Sequence, residues 1–297
     1  PYWFVRMASI LERSEDSFAT YLIMEGVFCF GVMIVPTIIL GMTLPLVCRI
    51  ATTNLADTGR SVGRVFGCNM GGALVGALIT GLWILPTLGL ARTFALGTGL
   101  SIAIGIIILS RNADPSRRKF VPMVLPGIGL WMLLSHSFFH QEWSKLTTSG
   151  AYRDVTAPTS FESFKQANNN TVLYHRDGAV STVTVKSGGR SPDSRFLQVN
   201  GETVASSDAD LPLQLLLAHV PALLHPNPQT ALVIGLGSGA TSGALLAHPT
   251  LHSVDTIEIS PGVLAAAQYF NDINNAVLQN ERSKIRIEDA KTYLATV

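Results

Sequence analysis

Three glycines in one short segment, Gly235, Gly237 and Gly239, have the spacing in this chain that most clearly implies chemistry. They lie in ALVIGLGSGA (231–240), where a continuous apolar run predicts a buried strand and the glycines predict a sharp turn into a helix. Such a turn lets the backbone approach a ligand, and the N–H groups at the start of the next helix can bind it. With Ser238, these residues predict a site for a nucleotide-like ligand.

Acidic residues follow the next two predicted strands. Glu258 lies near the end of SVDTIEI, 23 residues after Gly235, where a carboxylate can accept hydrogen bonds from both hydroxyls of a ribose. Asp289 ends KIRIED, where an acid could reach the edge of an adenine. Ile259 and Ala290, which follow these acids, complete the predicted binding segments. The order of strand, glycine turn, helix, strand and acid therefore predicts an adenosyl-binding site.

The sequence also bears on three other ligand classes: NAD, metal ions and nucleic acids. Ala240 completes the pattern GxGxxA, and so an NAD-type site stays open as an alternative. The seven histidines form no metal-ligand motif such as HExxH, and no metal site is expected. The net charge of +1, with no strongly basic face or tail, gives no reason to expect nucleic-acid binding. No catalytic residue is identified from these patterns.

The elements before this site are of two kinds. The first half of the chain contains long segments with at most one Asp, Glu, Lys or Arg, each near the length that a helix needs to cross a bilayer. They predict a helical bundle with about four spans, at 22–48, 65–86, 93–110 and 120–139. We expect a transmembrane module at 1–140, a linker at 141–155, a small β-module at 156–210 and the first half of a nucleotide-binding α/β domain at 211–297.

The β-module is predicted from alternation and turn residues. Apolar and polar residues alternate through 172–186 and 195–205, and turn residues stand at 177–178 and 200–201, which is typical of β-hairpins. After Asp208 an apolar helix is expected to end near His225. A doubly wound sheet normally needs more strands than the three seen before the last residue, and the first residue is not Met. Both ends are therefore expected to be missing, with the rest of the Rossmann-like sheet after residue 297.

The basic residues between the spans bear on topology. One group, Arg49, Arg60 and Arg64, flanks the first connection, and a second follows the third span at 111–119. These two connections lie on one face of the membrane, and Lys and Arg prefer the cytoplasmic side. If all four segments cross, the second half of the chain emerges on the opposite face. The sequence leaves open whether it does so.

These segments resemble one known family, the spermidine synthase-like membrane proteins, in which a multi-span module precedes a spermine/spermidine synthase-type domain. PTIILGMTLPL and GRSVGRVFGCNMGGALVGALITG are similar to its paired-span signature, and HPNPQTALVIGLGSGATSGALLAHP with VDTIEISPGVLAAAQYF is similar to its cofactor segment. The resemblance implies a class I methyltransferase-like fold. It also implies that Glu258 is the ribose-binding acid, that Asp289 is the adenine-side acid, and that the co-substrate is decarboxylated S-adenosylmethionine or S-adenosylmethionine.

Two departures from the family pattern concern the amine side of the site. Soluble aminopropyltransferases carry an Asp inside the glycine loop, facing the reacting amine, and Ser238 stands in that place. In the amine-site segment Asp208 and Asp210 remain, but no Tyr follows them. The resemblance puts the family's principal catalytic Asp beyond residue 297.

Three functions follow as hypotheses. The first is a membrane-anchored aminopropyltransferase, and the second is an S-adenosylmethionine-dependent methyltransferase acting on an unknown acceptor. The third is a transporter-like or sensor membrane protein whose nucleoside-binding domain performs no catalysis. The expected partners are the lipid bilayer and a small-molecule amine or other acceptor, and a homo-oligomer is left open. We expect an integral protein of the plasma membrane.

Overall fold

A computed structural model of the protein describes residues 2, 6, 15–52, 54–112, 144–145, 148–149, 160–188 and 191–296. The chain divides into two compact units, with the division in the first half of the chain between Ile84 and Leu85. The predicted fourth span at 120–139 lies outside the described residues, as does most of the predicted linker at 141–155.

The first unit consists of two long helices. Helix α1 (Glu15–Ala51) and helix α2 (Thr58–Ile79) are joined through a 3₁₀ turn, and a single π-helical turn (Thr80–Ile84) follows α2. Helix α1 extends beyond the predicted span at 22–48, because a helix need not end where charged residues begin and Glu is itself a good helix former.

The second unit begins with two further helices. A short helix α3 (Leu85–Leu88) is separated from α4 (Leu90–Asn112) by Gly89, which has a left-handed backbone with φ of +78°. Among the described residues, three helical segments are long and apolar enough to cross a bilayer: Ser17–Ala51, Leu55–Leu88 and Leu90–Ile108. Their length and composition agree with the first three predicted spans.

The β-module is a four-stranded antiparallel sheet in the order β1-β2-β3-β4. Its strands are β1 (Thr171–Asp177), β2 (Thr182–Ser187), β3 (Arg195–Val199) and β4 (Glu202–Ser206). A short helix α5 (Phe161–Ala167) precedes it and begins with a capping box at Ser160. The two predicted hairpins are present, because alternating residues could place Val183, Val185 and Leu197 in the core.

The last part of the chain alternates strands and helices. Helix α6 (Leu211–Leu224) leads to a parallel sheet in the order β5-β6-β7. The remaining elements are β5 (Thr230–Ile234), α7 (Ala240–Leu246), β6 (Ser253–Glu258), α8 (Pro261–Ala266), β7 (Ser283–Ile287) and α9 (Ala290–Leu294). One apolar core joins this sheet and its helices to the β-module. The carboxyl ends of the three strands share one edge, which is where ligands bind in folds of this kind.

Candidate functional site

The glycine turn, residues 235–239, connects β5 to α7 by left-handed backbone. Gly235, Gly237 and Gly239 have φ of +88°, +56° and +83°, values that other L-residues rarely adopt. A Cβ on Gly235 would meet no atom within 4 Å, so this part of the turn is open to a ligand. The predicted reason for glycine, close approach of a ligand to the backbone, fits Gly235.

Gly239 and Gly243 are required for packing instead. A Cβ on Gly239 would lie 2.8 Å from Val277 Cγ1, and one on Gly243 would lie 2.0 Å from the backbone oxygen of Asn274. Asn274 is fully buried, and its Nδ2 donates to Ser238 O at 2.8 Å and to Ala267 O at 3.0 Å. Helix α7 therefore lies against the segment that carries Asn274, and that amide fixes the glycine turn from behind.

Glu258 joins the two loops that border the site. Its Oε2 accepts a hydrogen bond from Leu236 N at 2.9 Å, and its Oε1 accepts one from Ser260 N at 2.8 Å. The side chain is almost buried at the end of β6. A carboxylate has about four lone-pair positions, so roughly two remain for the hydroxyls of a ligand. Glu258 thus shapes the site as well as lining it.

These loops border a cleft of about 1130 Å³, which is slightly larger than the usual range for small-molecule sites. Of the predicted residues, five line it: Gly235, Gly237, Ser238, Glu258 and Ile259. Side chains of the β-module, including Val180 and Val204, and of α6, including Leu217, form much of the remaining wall. The cleft is therefore apolar over most of its lining, with polar side chains both at the glycine turn and farther along its wall.

Three predicted residues are not among those that line the cleft. Gly239 begins α7, and Asp289 and Ala290 begin α9. Asp289 is exposed, and its Oδ1 accepts hydrogen bonds from Thr292 N at 2.9 Å and from Thr292 Oγ1 at 3.2 Å. In this structure its side chain caps a helix, and contact with an adenine stays a prediction.

Gln214 is a site residue that the sequence patterns missed. Ser238 is buried, and its Oγ donates to Gln214 Oε1 at 2.6 Å. The Nε2 of Gln214 is buried at the cleft without a hydrogen-bond partner in the structure. Because an unpaired buried donor is costly, this group fits an acceptor supplied by a ligand. A single amide within the otherwise apolar stretch LPLQLLL was the signal that could have revealed it.

The lining of the cleft carries one carboxylate, Glu258, among the residues that the structure describes. The family resemblance places Asp208 in the amine-site segment. Its Oδ2 accepts a hydrogen bond from Ser194 Oγ at 2.7 Å, and the residue does not line the cleft. Asp210 does not line it either. The described part of the site thus has little negative charge for a polycationic acceptor.

Comparison with known proteins assigns the segment that contains the site. Residues 212–297 match the family model of the spermine/spermidine synthase domain. This segment is therefore similar to that domain. The matched part of the spermine/spermidine synthase domain includes most of α6, the glycine turn, Glu258 and Asp289.

Three known proteins are similar to parts of this chain. The polyamine aminopropyltransferase of Moorella thermoacetica is 40% identical over 74 residues, covering 25% of this chain and 26% of that protein. The polyamine aminopropyltransferase of Oceanobacillus iheyensis is 20% identical over 274 residues, covering 91% of this chain and 50% of that protein. Spermidine synthase from Thermotoga maritima overlays with a TM-score of 0.40 at 24% identity, covering 42% of this chain and 44% of that one. The chain spans half or less of the length of these proteins.

Proposed function

We propose that this chain belongs to a membrane-anchored transferase of the aminopropyltransferase type, with a cleft that binds decarboxylated S-adenosylmethionine or S-adenosylmethionine. The observation that carries the proposal is the position of Glu258. It lies beside the open glycine turn, at the carboxyl edge of a parallel sheet, within the segment that matches the spermine/spermidine synthase domain. A ribose placed there would meet a carboxylate that still has free lone pairs.

The residues of this chain would act in binding and orientation. In aminopropyl transfer an amine nitrogen attacks the carbon beside the sulfonium, the C–N bond forms, and the C–S bond breaks with its electron pair on sulfur. The amine then loses a proton. Fixing the reacting carbon against an acceptor can supply a large part of the rate enhancement. The glycine turn, Glu258 and Gln214 are the groups proposed to hold the nucleoside end and the tail of the donor.

Attachment to the plasma membrane is the second part of the proposal. Three described helices have the length and composition of spans. The alignment with the Oceanobacillus iheyensis protein covers 274 residues, so it includes most of these helices as well as the synthase-type segment. An acceptor amine, or another acceptor, is proposed as the second substrate.

Methyl transfer from S-adenosylmethionine is the alternative that one observation favours. The unpaired N–H of Gln214 lies at the cleft beside Ser238, which stands where the family resemblance puts an Asp facing the reacting amine, and we place the tail of the donor beside it. The tail of S-adenosylmethionine carries a carboxylate, which accepts hydrogen bonds, whereas the decarboxylated donor ends in an ammonium group, which only donates. Gln214 therefore complements the carboxylated donor better.

The test is calorimetric binding of both donors and of NAD to the full-length protein in detergent, with Gln214→Glu as the matched variant. Aminopropyl transfer requires affinity for the decarboxylated donor, and Gln214→Glu should raise it relative to S-adenosylmethionine by about tenfold, since a carboxylate replaces an amide donor. Preference for S-adenosylmethionine in the wild type would favour the methyltransferase. Binding of NAD alone would overturn both, and binding of none would favour a non-catalytic membrane protein.

A further inference from the structure

A carboxylate of the β-module caps the N-terminus of a predicted span. Asp177, the last residue of β1, accepts a hydrogen bond at Oδ2 from Leu90 N at 2.7 Å, the first residue of α4. A Cβ on Gly89 would lie 3.1 Å from the same oxygen, so the chain between α3 and α4 passes directly over the carboxylate. A negative charge at a helix N-terminus is stabilised by the unpaired N–H groups and by the helix dipole.

The β-module itself holds this carboxylate in place. Its Oδ1 accepts from Thr182 Oγ1 at 2.8 Å, and His175 Nε2 lies 3.5 Å from the same atom. The side chain of Asp177 is 9% exposed. The cap is therefore a built contact between the folded sheet and one end of α4.

Only one end of α4 can lie on the same membrane face as the sheet. The apolar stretch Leu90–Ile108 has 19 residues, which as a helix extend about 28 Å and suffice for a bilayer core of about 30 Å. If α4 crosses the membrane, its N-terminal end and the β-module share one face, and its C-terminal end lies on the other.

The basic residues identify which face is which. The C-terminal end of α4 and the chain after it carry Lys and Arg at 111, 117, 118 and 119, and the last turn of α1 and the first turns of α2 carry them at 49, 60 and 64. The opposite set comprises Arg6, Arg13 and Arg92, together with Lys145 and Arg153 after the predicted span at 120–139, which is five residues against seven. Since each crossing exchanges faces, the richer set lies on the side away from the β-module, and the positive-inside rule places that side in the cytoplasm.

We propose that the β-module and the adjoining glycine-turn domain lie on the non-cytoplasmic face of the membrane. The inference rests on the proposed membrane attachment and is independent of which donor the cleft binds. A ligand of the cleft must then be available outside the cytoplasm.

Cysteine labelling of the full-length protein tests the orientation. In a background with Cys29, Cys48 and Cys68 replaced by alanine, single cysteines are introduced by Asp193→Cys in the β-module and Arg60→Cys at the start of α2, both at exposed positions. A membrane-impermeant maleimide should label the first in intact cells and the second only after permeabilisation. The reverse pattern, or equal labelling of both sites in intact cells, would overturn the proposal.

A cross-link tests the contact that carries the proposal. With Asp177 kept, Leu90→Cys paired with Thr182→Cys, whose native hydroxyl donates to the same carboxylate, should be joined by a short bifunctional maleimide. Ile108→Cys paired with Thr182→Cys should not be joined, because Ile108 lies at the far end of the apolar stretch. Absence of the first cross-link would overturn the inference. Recovery of the protein in the soluble fraction would overturn the membrane attachment, whereas loss of donor binding by purified protein would count against the cofactor site alone.

Discussion

At the scale of a single residue, Glu258 bridges two loops and is proposed to bind a ribose. Its removal should affect both the stability of the protein and its affinity for the donor. The proposed ribose contact predicts that Glu258→Ala weakens ligand binding. Leu236 N and Ser260 N also donate to this carboxylate, so the substitution leaves two amides without their acceptor. We expect the free energy of unfolding to fall by about 1–3 kcal/mol and donor affinity to fall at least tenfold.

Chemical unfolding and calorimetry of the full-length protein in detergent measure the two effects. Asp255→Ala, on the same strand but not among the residues that line the cleft, is the matched control. Unchanged donor affinity in Glu258→Ala would refute the proposed ribose contact. Unchanged stability would refute the bridging role.

Substitutions at two glycines should distinguish a role in packing from a role in ligand binding. Gly243→Ala places a methyl group 2.0 Å from the backbone oxygen of Asn274, which cannot move without its loop, so overpacking should destabilise the protein by about 3 kcal/mol or more. Gly235→Ala meets no neighbour, and its left-handed backbone alone costs about 1–2 kcal/mol. Its new methyl group should instead weaken donor binding. Comparable losses of stability in the two variants would contradict this division.

The site residues could be predicted only where a linear pattern encodes them. The glycine turn and Glu258 follow strands that are visible as apolar runs, and the structure brings them together at one edge. Gln214 and Asn274 reach the turn from segments 24 and 36 residues away from Ser238, through side-chain contacts that no local pattern records. Their roles depend on tertiary packing.

At the scale of elements, strand β2 buries a lysine that should respond to alkaline pH. Lys186 is 1% exposed, and its Nζ donates to Thr148 O at 2.6 Å and to Lys145 O at 3.4 Å. Burial, together with the nearby charge of Lys145, lowers the pKa of Lys186 to about 8. The unfolded chain keeps this proton up to a pH of about 10.4.

The free energy of unfolding should therefore rise between pH 8 and pH 10, because the unfolded state binds more protons in that window. The rise should be on the order of 2 kcal/mol. Urea unfolding at both pH values measures it, and Lys186→Met, which carries no ionisable group, is expected to lack the rise. A flat wild-type profile would show that Lys186 titrates near its ordinary pKa.

The helices and strands were more predictable than their ends. Alternation places both hairpins of the β-module, and α6 lies between Asp210 and His225, close to the predicted limits of Asp208 and His225. The π-helical turn at Thr80–Ile84 has no counterpart in the sequence reasoning, since an apolar run looks the same in either helical geometry. The extension of α1 to Glu15 and Ala51 was missed because the prediction covered only the part of the helix that would cross the membrane.

At the scale of the whole molecule, acid should loosen the attachment of α4 to the β-module. Burial alone would raise the pKa of Asp177, but hydrogen bonds from His175, Leu90 N and Thr182 outweigh it and lower the pKa to about 2. The stabilisation from the ionised carboxylate is complete above a pH of about 4 and is lost as the pH falls towards 2.

We expect a loss of about 1 kcal/mol over this window, after allowance for partial screening by solvent. Thermal unfolding in detergent at pH 5 and pH 2.5 measures it, with Asp177→Asn as the variant that should show a smaller difference. An equal difference in both proteins would mean that other carboxylates account for the acid response.

The order of the parts along the chain was predictable because composition changes so sharply between the halves. The contact between Asp177 and Leu90 was not, since it joins residues 87 positions apart and neither lies in a recognisable motif. The face of the membrane could not be inferred from charge alone, because the fourth predicted span left the count of crossings open. The contact supplies the missing relation between one helix end and the sheet.

The 87 positions between Leu90 and Asp177 have a consequence for biosynthesis. The ribosome makes Leu90 well before it makes the carboxylate that caps it, and at about 5–20 residues per second the interval is about 4 to 17 s. During this time the N–H groups at the start of α4 must be satisfied by water or lipid head groups. The helix end reaches its final state only when the β-module folds, and a chain interrupted in between would carry an uncapped span.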